Sequence, residues 1–339
     1  MNAPSRLRLD GSALADNWRA LARLSGSAAC GAAVKADGYG LGAREVVQRL
    51  AGAGCRDFFV ASWAEAVALG DLGVSLSVLH GVRAADLPLA GVARPVLNSP
   101  EQVQRWREAG GGDCDVMVDT GMNRLGVAPA DIAAGLLDGL TVETLISHLA
   151  CADEDSAMNA EQRAVFTGIA DRANARRLSL ANSAGVALGT DYAFDLTRPG
   201  LALYGGVPRA ELAGVIRPVV TIEAEVLQRR RVPAGSKVGY NATWTAPEDR
   251  EVAVVNLGYA DGYRRAFSSR GTAFVGDRAL PVVGRVSMDL TAVDVTGVDV
   301  AEGDWLAFDP DLPSAASPSG ESQYELLTGL GRRFARVWV

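Results

Sequence analysis

Lys35 stands in the setting richest in chemistry. It closes a small apolar run, Ala32-Ala33-Val34, and is followed at once by Ala-Asp-Gly-Tyr-Gly, a glycine-punctuated turn with one tyrosine, Tyr39. An ammonium at the end of a buried strand is costly to desolvate unless it is neutral or covalently engaged. A lysine pushed toward its neutral form attacks aldehydes, which is Schiff-base chemistry. The same local pattern also suits a strand-end lysine with its head in water, so the other polar groups must decide between the two.

Those groups recur at the ends of apolar runs. Asp119-Thr120-Gly121-Met122-Asn123-Arg124-Leu125-Gly126 follows one, His148 ends another, Asn182-Ser183 a third and Arg198-Pro199-Gly200-Leu201 a fourth. Singly, each has a plain explanation: His148 as a satisfied core histidine, Ser183 as a helix cap, Arg198 as a surface residue and Tyr39 as turn packing. Together they imply a shared face. A serine hydroxyl and the backbone N–H groups of Gly200 and Leu201 can hold a phosphate, and a lysine beside such a cradle points to pyridoxal 5′-phosphate.

Positioning them requires a particular scaffold. Residues 1–212 alternate short apolar runs with segments of helical period. The first helix follows Asp10 as cap, with Leu14, Trp18, Leu21 and Leu24 on one face. Eight candidate strands follow, at 31–35, 57–61, 76–80, 94–98, 114–118, 143–148, 178–182 and 194–198, with helical segments such as 101–109 and 159–177 between them. Ser99-Pro100-Glu101 is a cap followed by proline at the first helical position. Eight strands with helical crossovers predict an α/β fold with a closed (β/α)8 TIM-like barrel, in which strand C-terminal ends share one open face. The Gly-x-Gly-x-x-Gly turn of a doubly wound sheet is missing.

From about residue 213 the texture changes to Val-rich alternation: 219–227, 251–257, 272–275, 280–286 and 290–295, separated by turns such as Pro233-Ala234-Gly235. The expected organisation is a barrel over 8–212 and a mainly β domain over 213–339, with residues 1–7 a candidate for pairing with the latter. Pro310 to Ser322 reads as a loop before a short final helix, 324–330.

Composition bounds the function classes. The chain has 339 residues, 48% hydrophobic, 22% charged, with net charge −7, which argues against nucleic acid or an anionic membrane as the main partner. Arg229-Arg230-Arg231, the one dense basic run, reads as a solvated strand end. The first thirty residues lack a signal-peptide pattern, and no segment nears the ~20 apolar residues of a membrane helix. Cys30, Cys55, Cys114 and Cys151 are scattered and read as reduced thiols of a cytoplasmic protein; with two histidines, His80 and His148, neither a polyhistidine metal centre nor any other metal site is expected.

Nine segments, in order, resemble the alanine racemase family, fold-type III pyridoxal-phosphate enzymes: AVKADGYG (33–40), DTGMNRLG (119–126), SHLACADE (147–154), ANSA (181–184), RPGLALYG (198–205), VGYNATWTAP (238–247), GYADGY (258–263), GRVSMD (284–289) and YELLT (324–328). The resemblance implies an isomerase that interconverts L- and D-alanine by a two-base mechanism on the pyridoxal-phosphate aldimine, supplying D-alanine for peptidoglycan. It further implies a cytoplasmic homodimer whose active sites are shared across the interface. A broad-specificity or serine racemase on the same scaffold is the alternative. By resemblance, Lys35 is the Schiff-base lysine and one base, and Tyr259 the opposing base, lent by the partner subunit. Arg124 and the backbone of Met288 match the groups that hold the substrate carboxylate. Arg198 matches the arginine at the pyridine nitrogen, and His148 the link between it and the tyrosine. Tyr39, Ser183, Gly200, Leu201 and Tyr324 match phosphate-site positions.

Two positions depart from the family. Many members carry a carbamylated lysine two residues before the Asp of Asp-Thr-Gly, where it orients the carboxylate-binding arginine; here that position is Met117, which predicts no carbamate. A mass or density showing a carboxylated lysine beside Arg124 would contradict this. Leu41 stands where many relatives have histidine, beyond the Lys35–Tyr39 pair.

Overall fold

The computed structural model describes residues 3–309 and 311–339. Met1, Asn2 and Pro310 lie outside the described residues, so the Pro310 end of the expected loop is not addressed. The chain divides into two compact units: Leu14–Leu203 with Val207–Arg217, and Met1–Ala13 with Tyr204–Gly206 and Pro218–Val339.

The first unit holds the expected barrel. Seven parallel strands pair in sequence order, Ala32–Ala33, Asp57–Val60, Ser75–Val78, Arg94–Leu97, Cys114–Met117, Val142–Ile146 and Arg177–Ser179. The eighth, Leu196–Thr197, pairs in parallel with Ala29–Cys30, just ahead of the first strand. Gly31 N and Ala33 N donate to Thr197 O and Pro199 O at 2.9 and 2.8 Å, while Asp195 N and Arg198 N donate to Leu178 O and Ala181 O at 3.0 and 2.8 Å. Strand eight thus bridges strands seven and one, and the ring closes with no free edge.

Strands such as Asp57–Val60 are buried along their whole length, as expected where helices cover the outside and side chains fill the inside. Phe58, Phe59, Trp106 and Phe166 are among the fully buried side chains, each stabilising the unit by roughly 1.5–3 kcal/mol. The helices begin where the sequence signals say. Asp10 Oδ1 accepts Ala13 N at 2.8 Å at the start of Gly11–Leu24, and Ser99 Oγ accepts Gln102 N at 3.3 Å at the start of Pro100–Glu108. The helix read over 159–177 runs from Ala157 to Ala173 and stops where Asn174 turns left-handed at φ 45°, freeing Arg177 to start strand seven.

The second unit is a closed antiparallel barrel of six strands. Val220–Val232 is long enough to serve twice: its first half pairs with Trp305–Phe308 and its second with Arg250–Val255, with a register shift at Val226/Gln228. Thr291–Asp294, Arg278–Val283 and Thr272–Val275 complete the ring. Ser5–Leu9 pairs antiparallel with Val220–Ala224 and in parallel with Ala335–Trp338. Trp305–Phe308 and Ala335–Trp338 are strands that the sequence pattern did not single out. Arg229 and Arg231 lie on the exposed part of the long strand and pair with Glu251 and Asp249, a solvated face as expected.

One expectation is corrected here. The stretch read as a loop before residue 322 contains a helix, Leu312–Ser319. Asp311 Oδ2 caps Ser314 N at 3.0 Å. Pro313 falls in the first turn, where its missing N–H has no intrahelical partner to lose, and Leu312, Ala315 and Ser319 form the buried face. Composition rich in Pro and Ser concealed a capped helix.

Candidate active site

The backbone after strand one reverses hand. Ala36, Asp37 and Gly38 have φ of 54°, 55° and 63°, and Tyr39 follows at 55°. A left-handed conformation costs an L-residue about 1–2 kcal/mol, so the turn needs fastening. Gly38 N donates to Val34 O, Gly40 N to Ala36 O and Gly42 N to Asp37 O, all at 2.8–2.9 Å. Asp37 Oδ1 accepts Ala43 N at 2.9 Å, and Glu65 accepts Ala36 N at 2.9 Å and Ala61 N at 2.7 Å. Strain fixed this firmly is a mark of functional sites. Its effect is to hold Lys35 and a buried Tyr39 at the mouth of the barrel. Glu65 was not foreseen: Ser62-x-x-Glu65 reads as a capping box, yet its carboxylate braces the lysine turn instead.

Cations gather around Lys35. Burial first, then the charge of Arg124, hold its ammonium below the ordinary lysine value, with Glu65 opposing and Arg198 adding to the depression. His148 is driven down to about 3 by burial and by Arg198, Arg124 and Lys35, so its imidazole is neutral. Burial lowers Arg198 to about 10 while the Asp115 carboxylate opposes that, leaving it cationic at neutral pH. Arg198 donates to Ser147 O at 2.7 Å and to Ser179 Oγ. Among the described residues no hydrogen bond joins it to the His148 ring.

Beyond the cations lies an anion cradle. Ser183 Oγ accepts Gly200 N at 2.9 Å and Ala202 N at 3.1 Å. With both lone pairs engaged, its own proton points away from those amides and is available to an acceptor. Gly200 must be glycine: a Cβ there would sit 2.2 Å from Tyr39 Oη, so the phenol lies against bare backbone. Tyr39, Ser183 and Gly200 are thus brought together, with Leu201 buried beside them, and Ala202 is a donor that the sequence reading did not name. The free Ser183 hydroxyl proton beside this backbone fits a phosphate, and three nearby cations that outnumber the opposing Glu65 and Asp115 carboxylates fit an anionic ligand.

Arg124 sits on a loop that closes on itself. Asp119 N donates to Val127 O at 3.0 Å and Val127 N to Met117 O at 2.9 Å, while Asp119 Oδ1 accepts Gly121 N and Asn123 N at 2.9 and 3.1 Å. Met117 is buried below it and offers no polar group. The Arg124 guanidinium is exposed and makes no hydrogen bond or ion pair among the described residues.

Tyr259, Met288 and Tyr324 belong to the β unit. Tyr259 N donates to Ser287 O and Ala260 N to Met288 O, each at 3.0 Å. A Cβ on Gly258 would fall 2.2 Å from Met288 O, so only glycine lets the two turns interlock. Arg333 bridges them further, reaching Asp261 at 3.1 Å and Asp289 at 2.7 Å. Tyr259 is 40% and Met288 54% exposed, presented outward on a braced platform. Tyr324 is also exposed, on the helix Gln323–Thr328. Arg333 is a further group that the sequence did not reveal, since a charged residue near a terminus carries no local signal.

A β/α barrel with a lysine after strand one whose ammonium is disfavoured by burial and neighbouring charge, an anion cradle after strands seven and eight, and an accompanying β-barrel unit has the architecture of lysine-dependent aldehyde-cofactor enzymes. Residues 9–208 match the family model "Alanine racemase, N-terminal domain", and residues 219–338 match "Alanine racemase, C-terminal domain". The chain belongs to the alanine racemase family. It is 44% identical to an alanine racemase of Rhodospirillum rubrum, covering 98% of this chain and 96% of that one, and 46% identical to that of Jannaschia, covering 99% of both. Among solved structures, the alanine racemase of Bartonella henselae with covalently bound pyridoxal phosphate superposes with a TM-score of 0.92 at 32% identity over 100% of both chains.

Proposed function

We propose that this chain racemises alanine with pyridoxal phosphate held by Lys35, using Lys35 and Tyr259 as bases on opposite faces of the substrate. The observation that carries the reading is the cation cluster of Lys35, Arg124 and Arg198 around a neutral His148, opening beside the Ser183–Gly200 cradle. Ser183, the Gly200 and Leu201 amides, Tyr39 and Tyr324 would hold the phosphate, and Arg198 would face the ring nitrogen. When bound, the cofactor supplies an aldehyde for the amine and an electron sink that acidifies the substrate Cα–H.

The protein residues do the rest. Lys35, biased toward its neutral amine, takes a proton on one face and returns it in the reverse direction. Tyr259 performs the same task on the other face, contributed by a second copy of the chain in a homodimer; its exposure on the braced turn supports that role. In that arrangement the cationic cluster would attract the negative oxygen that a tyrosine acting as base must carry. His148, neutral, accepts or donates a hydrogen bond without adding a charge. Arg198 would offer N–H to the ring nitrogen and keep its own proton, which would moderate the electron sink and restrain side reactions. Arg124 and the Met288 amide grip the carboxylate. The product D-alanine would feed peptidoglycan synthesis in the cytoplasm.

The test is racemisation of L-alanine by the purified protein with added pyridoxal phosphate, run beside serine and lysine. Alanine turnover well above the other two is expected. Turnover confined to serine or lysine, or borohydride labelling away from Lys35, would overturn the reading.

A further inference from the structure

The helix Ala157–Ala173 presents Asn159, Gln162, Phe166, Ile169 and Ala173 to the interior, the spacing of one helical face. Gln162 is the anomaly there: a carboxamide only 1% exposed. Every hydrogen-bonding group it has is used. Nε2 donates to Thr120 Oγ1 at 3.1 Å and to His148 O at 3.0 Å, and Oε1 accepts Ala150 N at 2.9 Å. Thr120 opens the loop that carries Arg124, and His148 ends strand six. Thr120 Oγ1 also pairs with Ser147 Oγ at 2.8 Å, and Ser147 O accepts Arg198. One amide therefore lies at the junction of the segments that present Arg124, His148 and Arg198.

Among the described residues the loop's other tie to the barrel is the Thr120–Ser147 hydroxyl pair, made by the same oxygen that Gln162 holds. Its remaining fastenings are internal, the Asp119 clasp and the Val118–Val127 bridge, and these shape it without fixing it to the barrel. Met117 beneath it is apolar, and Arg124 has no partner among the described residues that would set its direction. A buried glutamine with no active-site task would be replaceable by an apolar residue of the same length at little cost once its partners were removed too; here the partners are the backbone and hydroxyl of the site itself.

We propose that Gln162 is a positioning residue for substrate binding: its carboxamide ties the Thr120 end of the loop to the His148 strand end and so sets the placement of Arg124 for a carboxylate. This rests on Arg124 being the carboxylate-binding group of the proposed function.

The test uses the cofactor-loaded protein and propionate, a carboxylate that cannot react. For Gln162→Met, the propionate inhibition constant and the alanine KM should both rise about ten-fold, kcat should fall less, and propionate should lose most of its thermal protection of the protein. A variant that folds and loads cofactor with propionate affinity within about two-fold of wild type overturns the proposal. If Gln162→Met does not fold, Gln162→Glu decides. Glutamate keeps the acceptor for Ala150 N and regains a donor only when protonated, and burial raises its pKa. The variant-to-wild-type ratio of propionate constants should therefore narrow as pH falls from about 8 to about 6; a flat ratio overturns the proposal. Failure of the wild type to racemise alanine is a separate outcome. It strikes the proposed function, whereas propionate binding still reads the loop.

Discussion

The barrel contains two clusters of cations, and they are built on opposite terms. Near the starts of the strands, Arg177 forks onto Asp57 at 2.9 and 3.1 Å and reaches Glu143 at 3.2 Å, while Arg94 lies 3.6 Å from Asp115, which also accepts Ser77 Oγ at 2.6 Å. Each arginine there has a carboxylate of its own. At the ends of the strands, Lys35, Arg124 and Arg198 crowd a neutral histidine, and Glu65 is the carboxylate that opposes Lys35. A buried cation left unmatched is expensive, so its persistence marks a place where the counter-charge comes from outside. The first cluster is structural; the second fits the anionic ligands of the proposed function.

Lys35→Ala should have the largest effect, with racemisation falling at least about 10³-fold and borohydride labelling lost, while the thermal midpoint of the cofactor-free protein holds or rises as one repulsive charge leaves. A cofactor-free midpoint that drops would show the upper cluster to be structural too. Tyr259→Phe should reduce interconversion by roughly 10²–10⁴-fold. Because the two enantiomers are equally stable, kcat/KM must stay equal in both directions. The informative readout is exchange of the α-proton with deuterated solvent, retained for one enantiomer only. Exchange from both at near wild-type rates would remove Tyr259 from the chemistry.

In the lower cluster Asp57→Asn should do the reverse, costing about 2 kcal/mol of stability by denaturant titration, since the pair is only partly exposed. Turnover per folded molecule should not change. The last expected effect is a pH slope. His148 has a folded value of about 3, below its ordinary 6.5, so the unfolded chain binds the proton first. Its contribution is whole above about 6.5 and is lost as pH falls toward about 3, at up to about 1.4 kcal/mol per pH unit. Unfolding free energies of the cofactor-free protein and of His148→Gln should therefore converge on acidification. Parallel curves would mean that the upper cluster does not hold the imidazole neutral.

Much of this was legible in the chain. Parallel strands buried on both faces read as apolar runs, caps such as Asp10 and Ser99 announced their helices, and Lys35, His148, Ser183 and Arg198 sat where runs ended. The misses share a cause. Trp305–Phe308 and Ala335–Trp338 lack the Val-rich alternation that marked the other strands of that unit, and the helix Leu312–Ser319 hid in a proline- and serine-rich stretch. Glu65, Gln162 and Arg333 act on residues far away in sequence, and nothing beside them signals it.

The order of residues alone determined which groups were available and which strand end each would occupy, because side-chain period and turn chemistry are local. Tertiary structure decided which charges go unanswered, that the turn after Lys35 winds left-handed against its own preference, and that one glutamine joins three segments of the site. Desolvation and hydrogen-bond partnership depend on what the fold brings near, and no stretch of sequence contains its own neighbours.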